Sequence, residues 1–87
     1  MKSWRTVAFW RAIDALPKAI QRHAVQAYKV FAKDPSHPGL QFKKVHPKRP
    51  IYSVRIGLGY RALGTKTGDE IVWFWIGSHA DYDRLVS

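Results

Sequence analysis

The sequence predicts an α+β fold, in which an N-terminal helical hairpin packs on an antiparallel sheet of about four strands, followed by a short C-terminal helix. Two observations support this prediction. Apolar residues recur at helical spacing as far as residue 33, whereas after residue 39 they alternate with polar residues as in strands. A chain of 87 residues has room for only one core, so we expect a single domain over residues 1–87.

Two helices are expected before residue 35. The first is indicated by apolar residues at helical spacing, namely Phe9, Ile13 and Leu16. Ser3 or Thr6 can cap it, and a short strand over residues 3–7 is the alternative for this end of the chain. Pro17 suits the first turn of the second helix, whose apolar stripe is Leu16, Ile20, Ala24, Ala27 and Phe31. Asp34 ends that helix, because a residue before proline avoids helical angles.

The remaining chain is expected to form strands over residues 40–46, 51–56, 60–65 and 70–77, and then a last helical turn or two over residues 79–86. By strict alternation, Trp73 and Trp75 share one face of the last strand, and Val72, Phe74 and Ile76 share the other. Both sets are typical of a core. Because only one face can meet the helices, Trp73 and Trp75 are also candidates for an open surface that stacks bases or binds a partner.

Composition limits the classes of function. The chain has no cysteine, so it has neither disulfides nor thiolate metal sites, and its four histidines lack metal-ligand spacing. It contains no glycine-rich phosphate loop and no serine nucleophile motif, so we expect no cofactor and no metal. No apolar run is long enough to span a bilayer, and the N-terminus does not resemble a signal peptide. We therefore expect a cytoplasmic protein that does not bind membranes.

The charge indicates a polyanionic partner. The formal net charge is +9, and residues 35–68 contain seven lysines and arginines but no acid. Such a charge attracts nucleic acid, anionic lipid or an acidic protein, with association rates that fall as salt rises. Its densest part is a candidate RNA-binding cluster, made of Lys43, Lys44, Lys48 and Arg49. Taken alone, such a run is more often a solvated loop.

A candidate phosphate site lies at the turn of residues 57–59. If all three residues form the loop, Ile56 lies opposite Tyr60 and Arg55 lies opposite Arg61. Like charges directly opposite one another are destabilising, and a bound phosphate relieves that cost. A two-residue loop would instead place one arginine on the other face. The alternative is a pair of solvated arginines on an open sheet.

His79 and Tyr82 form a candidate proton-transfer pair at the end of the last strand. At helical spacing both side chains face the same way. Histidine suits proton transfer at neutral pH, and tyrosine can donate a proton where cations surround it. From spacing alone a structural role is favoured, with His79 capping the strand and Tyr82 packing on a tryptophan, and Asp81 and Asp83 dilute the positive charge.

With the helical hairpin, four motifs extend over nearly the whole chain: Asp34-Pro35-x-His37-Pro38-x-Leu40-x-Phe42-Lys43, Tyr52-Ser53-Val54-Arg55-Ile56-Gly57, Tyr60-Arg61-Ala62-Leu63 and Gly77-Ser78-His79-Ala80-Asp81-Tyr82-Asp83. Together they resemble the RelE/ParE superfamily, the toxins of bacterial type II toxin–antitoxin pairs. The second and third motifs are the strongest markers. Two features depart from the pattern. The N-terminal strand of the family is weak or missing here, and Ala80 follows the histidine where some nuclease members have a basic residue.

The resemblance implies a small basic toxin that is neutralised by an acidic, partly disordered antitoxin. RelE-like members cleave mRNA, usually in the ribosomal A site, whereas ParE-like members poison DNA gyrase and lack the nuclease residues. Arg55, Arg61, His79 and Tyr82 occupy the positions expected for the nuclease branch.

We therefore expect an mRNA-cleaving endoribonuclease that acts with the ribosome. Arg55 and Arg61 would hold the scissile phosphate, while His79 and Tyr82 share the acid–base steps. Two alternatives remain open: a ParE-like inhibitor of DNA gyrase that cleaves no RNA, and a nucleic-acid-binding module without toxicity.

Overall fold

The computed structural model describes residues 1–86 and has the expected α+β fold. In chain order its elements are β1 (Lys2–Arg5), α1 (Val7–Asp14), α2 (Lys18–Lys33), a 3-10 turn (Pro38–Leu40), β2 (Lys43–Lys44), β3 (Ile51–Ile56), β4 (Tyr60–Thr67), β5 (Glu70–Ser78) and α3 (His79–Val86). The strands of this part of the chain form one five-stranded sheet in the order β1-β5-β4-β3-β2. All neighbouring strands are antiparallel except β1 and β5, which are parallel.

The N-terminal strand is present, so the sheet has one strand more than the sequence predicts. β1 lies along the edge of β5, where Lys2 N donates to Asp69 O at 2.9 Å and Thr6 N donates to Trp73 O at 3.1 Å. The Trp73 indole also donates to Ser3 Oγ at 3.2 Å. A four-residue strand carries too little alternation to be recognised alone, and its partner lies far along the chain.

The helical hairpin forms as predicted. Thr6 caps α1, because its hydroxyl oxygen accepts a hydrogen bond from Phe9 N at 3.1 Å. α2 begins directly after Pro17 and ends at Asp34. Both helices cover one face of the sheet, into which they bury Phe9, Ala24 and Phe31. No helix within residues 1–86 is long and apolar enough to cross a bilayer.

The strand predicted over residues 40–46 is mostly irregular. Leu40 ends the 3-10 turn, and Gln41 has a positive φ of 46°, which interrupts any extended backbone. Only Lys43 and Lys44 pair with β3, opposite Ser53 and Tyr52 respectively. Because successive strand residues point to opposite faces, the two lysines project to different sides of the sheet.

The expectation that Trp73 and Trp75 share a face is wrong. The β4–β5 pairing shifts after Leu63, which lies opposite Trp75, to Gly64, which lies opposite Trp73. One extra residue in a strand reverses the alternation beyond it. Trp73 is therefore buried under the helices, with its ring 5.4 Å from that of Phe31. It cannot serve as the partner-binding residue that the sequence predicts.

The close approach of Trp73 to the sheet depends on Gly64. A Cβ atom built on Gly64 would lie 2.7 Å from Trp73 Cε3 and 2.8 Å from Ile71 Cγ1. Any larger residue would overpack this part of the core. The absence of a side chain at Gly64 therefore leaves space for the Trp73 ring.

The other face of the sheet carries both arginines of the candidate site. Ser53, Arg55 and Arg61 lie there, and α3 packs across β4 and β5 on the same side. Tyr82 of α3 is buried against this face. The hairpin has the predicted three-residue loop, with Ile56 opposite Tyr60 and Arg55 opposite Arg61. This register brings the candidate site residues of three elements to one face.

Candidate functional site

α3 begins where β5 ends, and this junction positions His79. The His79 backbone N–H donates to Gly59 O at 2.8 Å, which ties the start of α3 to the β3–β4 turn. Ser78 Oγ accepts from Asp81 N at 3.2 Å and so satisfies one amide of the first turn. The rings of His79 and Tyr82 lie 5.9 Å apart, so the predicted pairing at helical spacing is confirmed.

Arg61 is buried, with 3% of its surface exposed. Its guanidinium donates to Ser53 Oγ from Nε at 3.1 Å and from Nη2 at 2.8 Å. It also donates to Gln41 Oε1 at 3.2 Å and to Gln41 O at 3.0 Å. These contacts leave little of the cation for a ligand. In this conformation Arg61 therefore does not bind a phosphate directly, contrary to the sequence-based expectation.

Tyr82 lies directly over this buried charge. Its ring centroid is 5.1 Å from the Arg61 guanidinium carbon, and its hydroxyl is 3.3 Å from Ser53 Oγ. Burial lowers the pKa of Arg61, Tyr82 opposes that lowering, and Arg55 adds to it. Arginine nevertheless stays charged in proteins. A permanent cation thus lies beneath the phenol.

Arg55 is the accessible arginine of the pair. It is half-buried, and its Nε donates to Gly57 O at 2.9 Å. Its side chain lines a pocket together with residues of α2, among them His23 and Ala27. The two arginines are cross-strand neighbours as predicted, but one is enclosed and the other is available to a ligand.

His79 is the most open of the four predicted catalytic residues. Its side chain is 58% exposed, and Nε2 lies 3.6 Å from Asp83 Oδ2, one helical turn further along α3. Asp81 of the same helix pairs with Arg84. Asp83 is therefore the acid that lies beside the imidazole, which otherwise faces solvent.

The basic cluster divides between surfaces. Lys43 lies on the face of Ser53 and Arg61, whereas Lys44 lies on the face of Tyr52. Lys48 and Arg49 are exposed in the loop before β3, where their backbone N–H groups both donate to His46 Nδ1. Lys44 is therefore separated from the other three, because the strand alternation turns it to the helix side.

Trp75 lies on the same face as the site, half-buried beside an apolar groove. The groove runs between α3 and the loop before β3, and it is lined in part by Phe74, Leu85 and Val86. All three of these side chains are more than a third exposed. Trp75 thus keeps the predicted position on an open surface, which Trp73 does not.

Two features escaped the sequence analysis. Ser53 and Gln41 hold Arg61, although a serine in an apolar strand and a glutamine in a loop carry no signal of that role. An aromatic patch on the helix side surrounds Arg5, whose guanidinium carbon is 4.0 Å from the Trp10 ring and 5.1 Å from the Tyr28 ring. The patch joins residues of β1, α1 and α2, so only the fold assembles it.

Comparison with known proteins identifies the family. The family model described as the ParE-like toxin domain matches residues 18–84. This chain belongs to that family. The match covers α2, the sheet from β2 to β5 and most of α3 of this ParE-like domain. The resemblance to the RelE/ParE superfamily is thereby confirmed. No curated protein matches the sequence.

Solved structures share the fold of this ParE-like domain. The RelB–RelE antitoxin–toxin complex from Methanococcus jannaschii is similar over 97% of this chain and 99% of that chain, with a TM-score of 0.75 at 16% identity. The archaeal RelE–RelB complex from Pyrococcus horikoshii OT3 gives 0.70 at 17% identity over 88% and 92%. YafQ from Escherichia coli gives 0.72 at 7% identity over 93% and 96%. At these identities the similarity concerns the fold alone.

Replacing Ser53 tests the buried cluster. We expect Ser53→Ala to lower the free energy of unfolding by about 1–3 kcal/mol, because two N–H groups of a buried cation lose their acceptor. Urea unfolding followed by circular dichroism measures this loss. Ser36→Ala is the matched control, since the Ser36 hydroxyl bonds to Asp34 at the surface. Equal losses in the two variants would contradict a special role for Ser53.

Proposed function

We propose that this toxin domain is a metal-independent endoribonuclease that cleaves mRNA at the ribosome and is neutralised by an acidic antitoxin. The observation that carries the proposal is the exposed imidazole of His79, 5.9 Å from a phenol that lies over a buried guanidinium. Membership of a toxin family supports the class of function. The resemblance of Arg55, Arg61, His79 and Tyr82 to the residues of RelE-like members supports the nuclease branch.

The proposed reaction is attack of a ribose 2′-oxygen on the adjacent phosphorus. The O2′–P bond forms and the P–O5′ bond breaks, which leaves a 2′,3′-cyclic phosphate and a 5′-hydroxyl. The step needs a base for the 2′-hydroxyl proton, cations for the charge that develops at phosphorus, and an acid for the 5′-oxygen. Imidazole, guanidinium and phenol groups supply these functions without a metal ion.

His79 takes the main acid–base role in this proposal, because its imidazole is open to solvent. Arg55 and Lys43 contact the phosphate, since both lie on the accessible edge of the site face. Arg61 acts as a positioning residue through Tyr82, whose ring lies over the Arg61 guanidinium. Proton donation by Tyr82 further requires its hydroxyl to leave Ser53.

A second candidate function has one observation in its favour. Arg61 and Tyr82, two of the four predicted catalytic residues, are buried at 3% and 6% exposure. A site that needs both groups at the surface is closed in this conformation. A toxin that acts on DNA gyrase without cleaving RNA needs neither group at the surface, so that alternative is tested together with the proposal.

Induced expression tests the two functions in one experiment. We expect bacterial growth to stop and mapped transcripts to show new cuts within coding regions. His79→Ala should reduce the cleavage rate by about 10²–10⁴-fold, the usual effect of removing a proton-transfer group. Arg55→Ala should also lose the cuts, whereas Arg22→Ala, an exposed arginine of α2, should keep them.

Each variant must be as stable as the parent domain for this comparison to count. Growth arrest with intact mRNA and accumulating DNA breaks would overturn the nuclease proposal in favour of the gyrase alternative. Normal growth would contradict both functions.

RNA binding is expected to depend steeply on salt. On single strands the logarithm of affinity should fall with the logarithm of salt by about 0.7 per phosphate contact. Replacing Lys43, Lys48 and Arg49 together by glutamine should flatten that slope by about 2, if each residue makes one contact. The same replacement of Lys18, Lys29 and Lys33 on α2 removes an equal charge. Equal slopes in the two triple variants would show a general charge effect and no groove.

The antitoxin is proposed to cover the site face. Its acids would pair with Lys43 and Arg55, and its apolar side chains would fill the groove beside Trp75 and Phe74. The structures of similar fold include two complexes between RelE and RelB. This placement uses the exposed apolar surface and the accessible cations of one side of the sheet.

Co-expression with the product of the adjacent gene should restore growth and give a stable complex on a sizing column. Hydrogen exchange in that complex should show new protection in α3, in the loop before β3 and in the second half of β5, where the antitoxin orders the backbone. Protection confined to the surface around Trp10 and Tyr28 would instead place the antitoxin on the helix side. That result would contradict the proposed surface.

A further inference from the structure

A second pocket lies beside the site, between α2, the segment around the 3-10 turn and the β3–β4 turn. Its volume is about 460 Å³, within the usual range for small-molecule sites. Apolar side chains, among them Ala27, Val30 and Leu40, form part of its wall. Each of the three elements adds one cationic or ionisable side chain, namely His23, His37 and Arg55.

These side chains are held in defined positions. The Arg55 guanidinium is fixed by the hydrogen bond from Nε to Gly57 O at 2.9 Å, which leaves both terminal NH₂ groups to a ligand. The His37 ring accepts from Gly39 N at Nδ1, at 3.1 Å, so the neutral ring carries its hydrogen on Nε2. Arginine and imidazole N–H groups are thus available on two walls of the pocket.

The position of His23, the third donor, depends on a glycine. His23 packs so closely on Gly57 that a Cβ atom there would lie 2.4 Å from His23 Nδ1. Gly57 also has a positive φ of 60°, which favours glycine at this turn. The same residue therefore accepts the Arg55 hydrogen bond and leaves space for the His23 ring. His23 of α2 and Arg55 of β3 therefore lie close together beside Gly57.

No acid lines this pocket among the residues that the structure describes. Asp34 is the acid closest to His37 along the chain, and its carboxylate accepts from the Ser36 hydroxyl and amide. Those hydrogen bonds lower the pKa of Asp34, and the nearby His37 contributes less. The Asp34 carboxylate is thus already occupied, and the pocket keeps its positive character.

We infer that this pocket binds a phosphate group, held by Arg55 with His23 and His37 as further donors. A planar carboxylate is satisfied by one guanidinium, whereas a tetrahedral phosphate has oxygens for donors from three walls. The group can belong to free phosphate or to a nucleic acid backbone. In the second case Arg55 links the pocket to the proposed active site, and a phosphate next to the scissile one occupies it.

Titration of the whole domain with inorganic phosphate tests the inference. Imidazole carbon–proton correlation spectra should show saturable shifts of His23 and His37, while His46, whose Nδ1 is engaged in another loop, should stay unchanged. Arg55→Gln should weaken phosphate binding by about tenfold or more, the loss expected for a hydrogen bond to a charged group. Arg22→Gln should leave it unchanged.

A second titration separates the sources of phosphate and the two proposals. A 2′-O-methyl RNA oligonucleotide cannot be cleaved, so its binding does not depend on catalysis. Shifts of His23 and His37 with this RNA would assign the pocket to a backbone phosphate, and shifts with inorganic phosphate alone would assign it to a free anion.

In the titration with inorganic phosphate, equal shifts at His46 would overturn the inference, as would a response that Arg55→Gln leaves intact. Acetate at equal ionic strength that reproduces the response would overturn the preference for phosphate. His23→Ala, which keeps Arg55, provides a second variant and should reduce the affinity for phosphate.

Discussion

The burial of the Arg61 guanidinium is the constraint on which the site face depends. A charge removed from water is stable only where hydrogen-bond acceptors surround it. Here those acceptors come from β3 through Ser53 and from the loop before β2 through Gln41, and the ring of Tyr82 in α3 covers the cation. The Arg61 side chain therefore connects three segments of the chain. Its contact with Tyr82 helps to hold α3 across the sheet.

That arrangement divides the functional groups by accessibility. Arg61 and Tyr82 form a buried pair, whereas His79 is exposed and Arg55 is half-buried. In the proposed nuclease, a substrate phosphate contacts the open groups first, and the buried pair acts on it through Tyr82. In the proposed nuclease this separation assigns contact to one arginine and positioning to the other, although their cross-strand register is symmetrical.

The irregularity in β5 determines which aromatic residues face the helices and which face the apolar groove. Without the shift beside Gly64, Trp73 and Trp75 would point to the same face of the sheet, and Trp73 would leave the core. With the shift, Trp73 packs on Phe31 and Phe42, and Trp75 joins Phe74 at the apolar groove. A single extra residue thus supplies both a packed core and an exposed apolar surface next to the cations.

Much of the local structure follows from the sequence by itself. The Thr6 cap, the end of α2 at Asp34 and the three-residue hairpin turn rest on signals within a few residues, because capping and turn preferences are local. The register of that turn also places Arg55 opposite Arg61. The spacing of His79 and Tyr82 on one side of a helix is likewise a local property.

Only the tertiary structure decided the burial of Arg61, the bulge in β5, the pairing of β1 and the pocket that joins His23 with Arg55. Each depends on contacts between residues distant in sequence. The sequence does not distinguish a buried arginine from an exposed one, because the two differ only in the hydrogen-bond acceptors that the fold places around them. The sequence therefore determined which chemical groups this protein has, and the packing decided which of them a ligand can reach.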